Sequence, residues 1–172
     1  LKFLLKCGSK ILISTDKGST PLSAAAQNGH TEVARLLLAH GALIDSVSNT
    51  GSTPLSLASQ NGHLGVVALL VEHGAAINKP SNGGATPLFW AAQFVVYFFF
   101  DSFFFQHKKH IEWAQEIVEV LIKYGAAVNV KNNRGASPLS VATDRSHLGV
   151  VSLLIDHGAT LDAEDKKNNN TQ

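Results

Sequence analysis

The apolar positions of this chain recur in two alternating patterns. In "EVARLLLAHGALID" (32–45), Val33, Leu36 and Leu37 fall at helical spacing. Val67, Leu69 and Leu70 do the same in "GVVALLVEHGAAIN" (65–78), and Val151, Leu153 and Leu154 in "GVVSLLIDHGATLD" (149–162). "EIVEVLIKYGAAVN" (116–129) is built alike, and Gly41, Gly74, Gly125 and Gly158 close the four stretches. A shorter segment precedes each of them: "TPLSAAAQ", "TPLSLASQ", "TPLFWAAQ" and "SPLSVATD". There Thr20, Thr53, Thr86 and Ser137 stand before a proline, an N-cap followed by Pro at the first helical position. Small residues such as Ala24, Ala25, Ala26, Ala91 and Ala92 let this first helix lie close to its neighbours, and Asn28-Gly29 and Asn61-Gly62 end it. Extended, turn-rich stretches connect the units, with Gly18, Gly51, Gly84 and Gly135 marking hairpin-like tips.

The spacing is strict except in one place. Pro21 to Pro54 and Pro54 to Pro87 are each 33 residues, whereas Pro87 to Pro138 is 51. Gly41 to Gly74 and Gly125 to Gly158 are 33, and Gly74 to Gly125 is 51. The third unit thus carries 18 extra residues, between Gln93 and Gly125. One helix pair cannot cover its own leucines, so such units stack side by side.

With "GSTPLSAAAQNGH" (18–30) returning as "GSTPLSLASQNGH" (51–63), "GATPLFWAAQ" (84–93) and "GASPLSVATDRSH" (135–147), the chain resembles the ankyrin-repeat family. The resemblance implies an all-α repeat solenoid of stacked helix–turn–helix units with hairpin-like loops. Its repeats run 15–47, 48–80, 81–131 (with the insertion near 94–112) and 132–164. Residues 1–14 match the second half of an earlier repeat, and 165–172 form a polar tail expected to be disordered. More repeats are expected on at least the N-terminal side. The pattern departs from the family after Thr-Pro-Leu, where His is usual and this chain has Ser23, Ser56, Phe89 and Ser140. A serine hydroxyl can supply some of the hydrogen bonds such a His makes.

The resemblance also implies a function: a groove, lined by the tips and the exposed face of the first helices, that grips a partner protein. Carried over by position, the tip residues are Asp16, Lys17 and Ser19; Asn49, Thr50 and Ser52; Asn82, Gly83 and Ala85; and Asn133, Arg134 and Ala136. The helices contribute Gln27 and Asn28, Gln60 and Asn61, Gln93, and Asp144 and Arg145. The expectation is a monomeric array serving as an adaptor or scaffold. The alternative is a regulatory or targeting segment of a larger enzyme, channel or ubiquitin-ligase receptor.

Composition narrows this further. Of 172 residues 45% are hydrophobic and 16% charged, which reads as globular, and a net charge of +1 provides no electrostatic footprint for nucleic acid. The single cysteine, Cys7, excludes an internal disulfide and fits an intracellular, cytoplasmic or nuclear setting. Six of the eight histidines occupy two repeat slots, His30, His63 and His147 in one and His40, His73 and His157 in the other. The "HKKH" pair His107 and His110 has no Cys or carboxylate pair beside it. Neither a phosphate-binding loop nor a nucleophile motif is visible, so no catalysis, cofactor or metal is expected.

"FVVYFFFDSFFFQ" (94–106) breaks the pattern, with seven of the nine phenylalanines and neither helical nor strand period. As an exposed interaction loop it would leave about 1.5–3 kcal/mol of burial unrealised per aromatic side chain. As a membrane element it is shorter than the ~18–20 residues a span requires, and Asp101 interrupts it. The favoured reading is a retained intron over 95–106. Phe codons followed by a Gln codon can spell a pyrimidine tract ending in CAG, and a Val codon begins GT. After the insertion, either Glu112 or Glu116 takes the part of Glu32.

Overall fold

The computed structural model describes residues 14–93 and 105–161, the side chains of 105–112 excepted. Its helices come in pairs. These are α1 (Pro21–Gln27) with α2 (Thr31–Ala39), α3 (Pro54–Gln60) with α4 (Leu64–Glu72), α5 (Pro87–Gln93) with α6 (Phe105–Lys123), and α7 (Pro138–Asp144) with α8 (Leu148–Asp156). Among the described residues there is no strand. Each first helix packs on its own second helix and on the first helices of adjoining pairs, and the second helices form a parallel row of their own. This is an all-α solenoid, as the repeat pattern implies.

The serines after Thr-Pro-Leu turn out to hold the helix starts. Thr20 Oγ1 accepts from Ser23 N (3.2 Å), while Ser23 Oγ accepts from Thr20 N (2.8 Å), so each residue caps the other. The same reciprocal box joins Thr53 to Ser56 and Ser137 to Ser140. In α5 only half of it survives: Phe89 N donates to Thr86 Oγ1 (3.2 Å), and a phenyl ring has no oxygen to accept the return bond. The first helices end with equal economy. Asn28 Nδ2 donates back to Ala24 O and Asn61 Nδ2 to Leu57 O, both at 2.8 Å. Three of the four second helices end on histidine, where an Nδ1–H donates to the carbonyl four residues back: His40 to Leu36, His73 to Leu69 and His157 to Leu153.

Two leucine rows form the core. Leu22, Leu55, Leu88 and Leu139 come from the first helices, and Leu37, Leu70, Leu121 and Leu154 from the second, none more than 3% exposed. Each such burial is worth about 1.5–3 kcal/mol relative to leaving the side chain in water. Ala25, Ala58, Ala91 and Ala142 lie buried between successive first helices, which is why small residues dominate there.

Helix α6 has 19 residues where the other second helices have nine. Its last nine are the counterpart. A Cβ built on Gly149 would come within 2.6 Å of Gln115 Oε1, as one on Gly65 would come within 2.9 Å of Thr31 Oγ1. Gln115 therefore stands in the place of Thr31, and Glu116, not Glu112, in that of Glu32. Residues 94–104, most of the phenylalanine-rich stretch, lie outside the described residues, as do 1–13 and the tail from 162. Across the insertion the stack continues, since α5 packs on both α3 and α7, and α6 on both α4 and α8.

Candidate functional site

The tips are four short turns closed by backbone bonds. Thr15 N donates to Ser19 O, Ser48 N to Ser52 O, Ser81 N to Ala85 O and Asn132 N to Ala136 O, at 2.9–3.0 Å. Each tip is then tied to the one before it. Asn49 Nδ2 donates to Asp16 O (2.9 Å), Asn82 Nδ2 to Asn49 O (2.9 Å) and Asn133 Nδ2 to Asn82 O (3.0 Å). The backbone N–H groups of the same three asparagines donate to Lys17 O, Thr50 O and Gly83 O. The facing glycines make room for this ladder. A Cβ on Gly51 or Gly84 would come within 2.4 Å of the next asparagine's Oδ1, and φ values of 76° and 78° already require glycine there. Asn49, Asn82 and Asn133 thus use their amides within the stack.

A second ladder runs under the first. Asn78 accepts from Ala127 N (2.8 Å) and donates to Gly125 O (3.0 Å), and Asn129 does the same with Thr160 N and Gly158 O. Asp45 fills that slot one unit earlier, where its Oδ1 accepts from Ala76 N (3.0 Å). Being a carboxylate, it has no N–H for a return bond. Two histidines bridge pairs from the helix side: His63 Nε2 to Gln27 O (3.0 Å) and His147 Nδ1 to Ala92 O (3.1 Å). Histidines at repeat positions therefore serve helix ends and junctions. Among the described residues, no three His, Cys, Asp or Glu side chains come together.

The residues free to meet a partner are a subset of the expected ones. Lys17, Thr50 and Arg134 occupy the outermost tip position and are exposed. Gln27, Gln60 and Asp144 are exposed on successive first helices, and Gln93 is half-buried. Asp16, Asp144 and Arg145 are exposed as well, but Asp16 O takes the first rung of the tip ladder, and Arg145 is the C-cap residue of α7. Ser19 and Ser52 turn into hydroxyl contacts, Ser19 with Ser23 (3.0 Å) and Ser52 with Thr50 (3.0 Å), which in turn meets Ser48 (2.8 Å). Asn28 and Asn61 are helix caps. One helical turn from the glutamines stands a further row, Ala24, Leu57 and Trp90, that leaves surface in solvent, while its fourth member, Val141, is buried. The sequence signal for Trp90 was present, since "PLFW" stands where the other units have "PLSA", "PLSL" and "PLSV".

Trp90 marks a cavity of about 270 Å³ between the third and fourth tips and α5. Phe89 and Trp90 meet edge to face there, with ring centroids 6.0 Å apart and planes at 86°. Gln93 borders the rings, while Gly83 and Arg134 line it from the two tips. The outermost tip position of this unit is Gly83, where its neighbours carry Thr50 and Arg134, so this tip puts no side chain beside the cavity.

A family model for ankyrin repeats in three copies matches residues 1–81, 44–97 and 108–171. The chain belongs to the ankyrin-repeat family. Over 44 residues it is 46% identical to the 2-5A-dependent ribonuclease of Mus musculus, covering 26% of this chain and 6% of that protein. Over 52 residues it is 40% identical to ankyrin repeat domain-containing protein 63 of Homo sapiens, covering 30% of this chain and 14% of that protein. The Mus musculus protein of the same name matches at 40% over 52 residues and 13% of its length. The chain spans only a small part, 6–14%, of the curated relatives it matches. Ankyrin repeats are in general protein-interaction modules, and the family is typically non-catalytic. Among the described residues no helix is long and apolar enough to cross a membrane.

Proposed function

We propose that this chain is an adaptor or scaffold segment that binds a partner protein in the groove between its tips and its first helices. The supporting observation is the tip ladder: three asparagine rungs hold the four turns in register, so the residues they present need little ordering on binding. The groove residues then recognise the partner without covalent chemistry: Lys17, Thr50 and Arg134 from the tips, and Gln27, Gln60, Gln93 and Asp144 from the helices. The units are 15–47, 48–80, 81–131 and 132–164, acting as a monomeric array inside the cell. Affinity capture with the full-length protein tests this. Proteins captured by the wild type are expected to be lost from Gln60→Arg, an exposed change in the groove, and kept by Glu119→Arg, an exposed change on the second-helix row. Equal retention by both variants would refute the groove as the binding face.

A second reading is supported by one relative, which by its name is an enzyme far longer than this chain. Here the array is the regulatory or targeting segment of a larger protein. A full-length reading frame that encodes a further catalytic domain favours it, and one that encodes repeats alone favours the adaptor.

A further inference from the structure

The cavity at Trp90 differs from the rest of the groove in chemistry as well as in shape. Its walls are the Phe89 and Trp90 rings, and a Trp face or edge is the kind of surface on which binding energy concentrates. Its volume is about 270 Å³. This is room for one large side chain, and it falls below the ~300–1,000 Å³ typical of small-molecule pockets. Among the described residues, the polar lining is uncharged apart from Arg134, and no acidic residue borders the cavity. Arg134 is also set in place: Asn132 Oδ1 accepts from both Arg134 N (2.9 Å) and Ala136 N (3.0 Å), fixing the turn that carries it. A guanidinium on the rim of an aromatic pocket, with no carboxylate among the described lining residues to answer it, complements a ligand that brings its own.

We infer that this cavity takes one large apolar side chain, aromatic or leucine, from a partner peptide in which an adjacent residue is Asp or Glu, the carboxylate pairing with Arg134. This rests on the groove reading above and adds to it an anchor and a charge rule. Because Gly83 lines the cavity without a side chain, a large side chain there is expected to obstruct it. The substitution is sterically open: a Cβ on Gly83 meets nothing nearer than Ser81 Oγ at 3.9 Å.

The test is selection of a random displayed-peptide library on the purified full chain, followed by affinity measurements with the selected peptides. Wild type is expected to enrich an apolar anchor next to an acidic residue. Gly83→Leu and Trp90→Ala should each weaken those peptides by about 30-fold or more, the scale of a central aromatic contact. Arg134→Glu should weaken them about tenfold and, on reselection, replace the acidic neighbour with Lys or Arg while keeping the anchor. Thermal unfolding midpoints control for folding. Gly83→Leu and Arg134→Glu, both on exposed tips, keep the test decisive if Trp90→Ala unfolds. Enriched peptides without an apolar anchor, an unchanged charge preference in Arg134→Glu, or no enrichment at all would overturn the inference. A photoreactive group on the peptides separates the two claims. Attachment at Gln27 or Gln60 alone overturns the pocket and leaves the groove standing, whereas attachment only on the second-helix row overturns both.

Discussion

Ser146 sits at φ 57°, in the left-handed region, where the equivalent turns of the first two units have Gly29 and Gly62 at 72° and 74°. An L side chain there costs roughly 1–2 kcal/mol, part of which glycine returns as unfolded-state entropy. Ser146→Gly is therefore expected to raise stability by about 0.5–1 kcal/mol, read as a higher midpoint in urea. Asp45 invites the opposite kind of repair. Asn78 and Asn129 both accept and donate at that slot, and Asp45 only accepts. Asp45→Asn should gain a bond to Gly74 O worth about 0.5–1.5 kcal/mol. An unchanged or lower urea midpoint would show that the second ladder does not extend to the first unit. Neither substitution suggests itself from composition, because both depend on comparing one position across the units.

For the helices, the N-terminal box is what the Thr-Pro-Leu-Ser pattern builds. Ser56→Ala removes the hydroxyl that accepts from Thr53 N (2.9 Å) and donates to Thr53 O (2.9 Å), deep in the stack. It should cost about 1 kcal/mol, measured by chemical denaturation, and leave the circular dichroism spectrum unchanged. The helix pairs and their starts were legible in the sequence because the signals are local: a cap, a proline, a leucine at each turn. The ladders were not. A bond such as Asn82 Nδ2 to Asn49 O joins residues 33 apart, and only stacking brings them together. Read singly, Asn49, Asn82 and Asn133 look like recognition residues on solvated tips. Trp90 was passed over for a related reason, since the cavity beside it is completed by Gly83 and Arg134 on two other elements.

At the scale of the whole molecule, the packing between units among the described residues is chiefly between neighbours, so stability accumulates unit by unit through leucine rows, small-residue contacts and ladder rungs. Asn82→Ala cuts the rung between the second and third tips. It is expected to lower stability by about 1 kcal/mol and to speed amide exchange at position 82 and at Gly51, whose N–H groups donate to Thr50 O and Ser48 O, more than at the buried Leu70 in α4. Uniform exchange would mean that the ladder does not hold the tips. If the proposed groove is right, this held surface, and not the second-helix row behind it, meets the partner. Photocrosslinking from single positions of the full-length protein in its own cells tests that most directly, with the photoreactive residue at Thr50, Gln60 or Gln93 and, for comparison, at Glu72, Glu119 or Asp156. One partner band is expected to form from the first three positions and to be absent from the last three. Crosslinks concentrated at Glu72, Glu119 and Asp156 would contradict it.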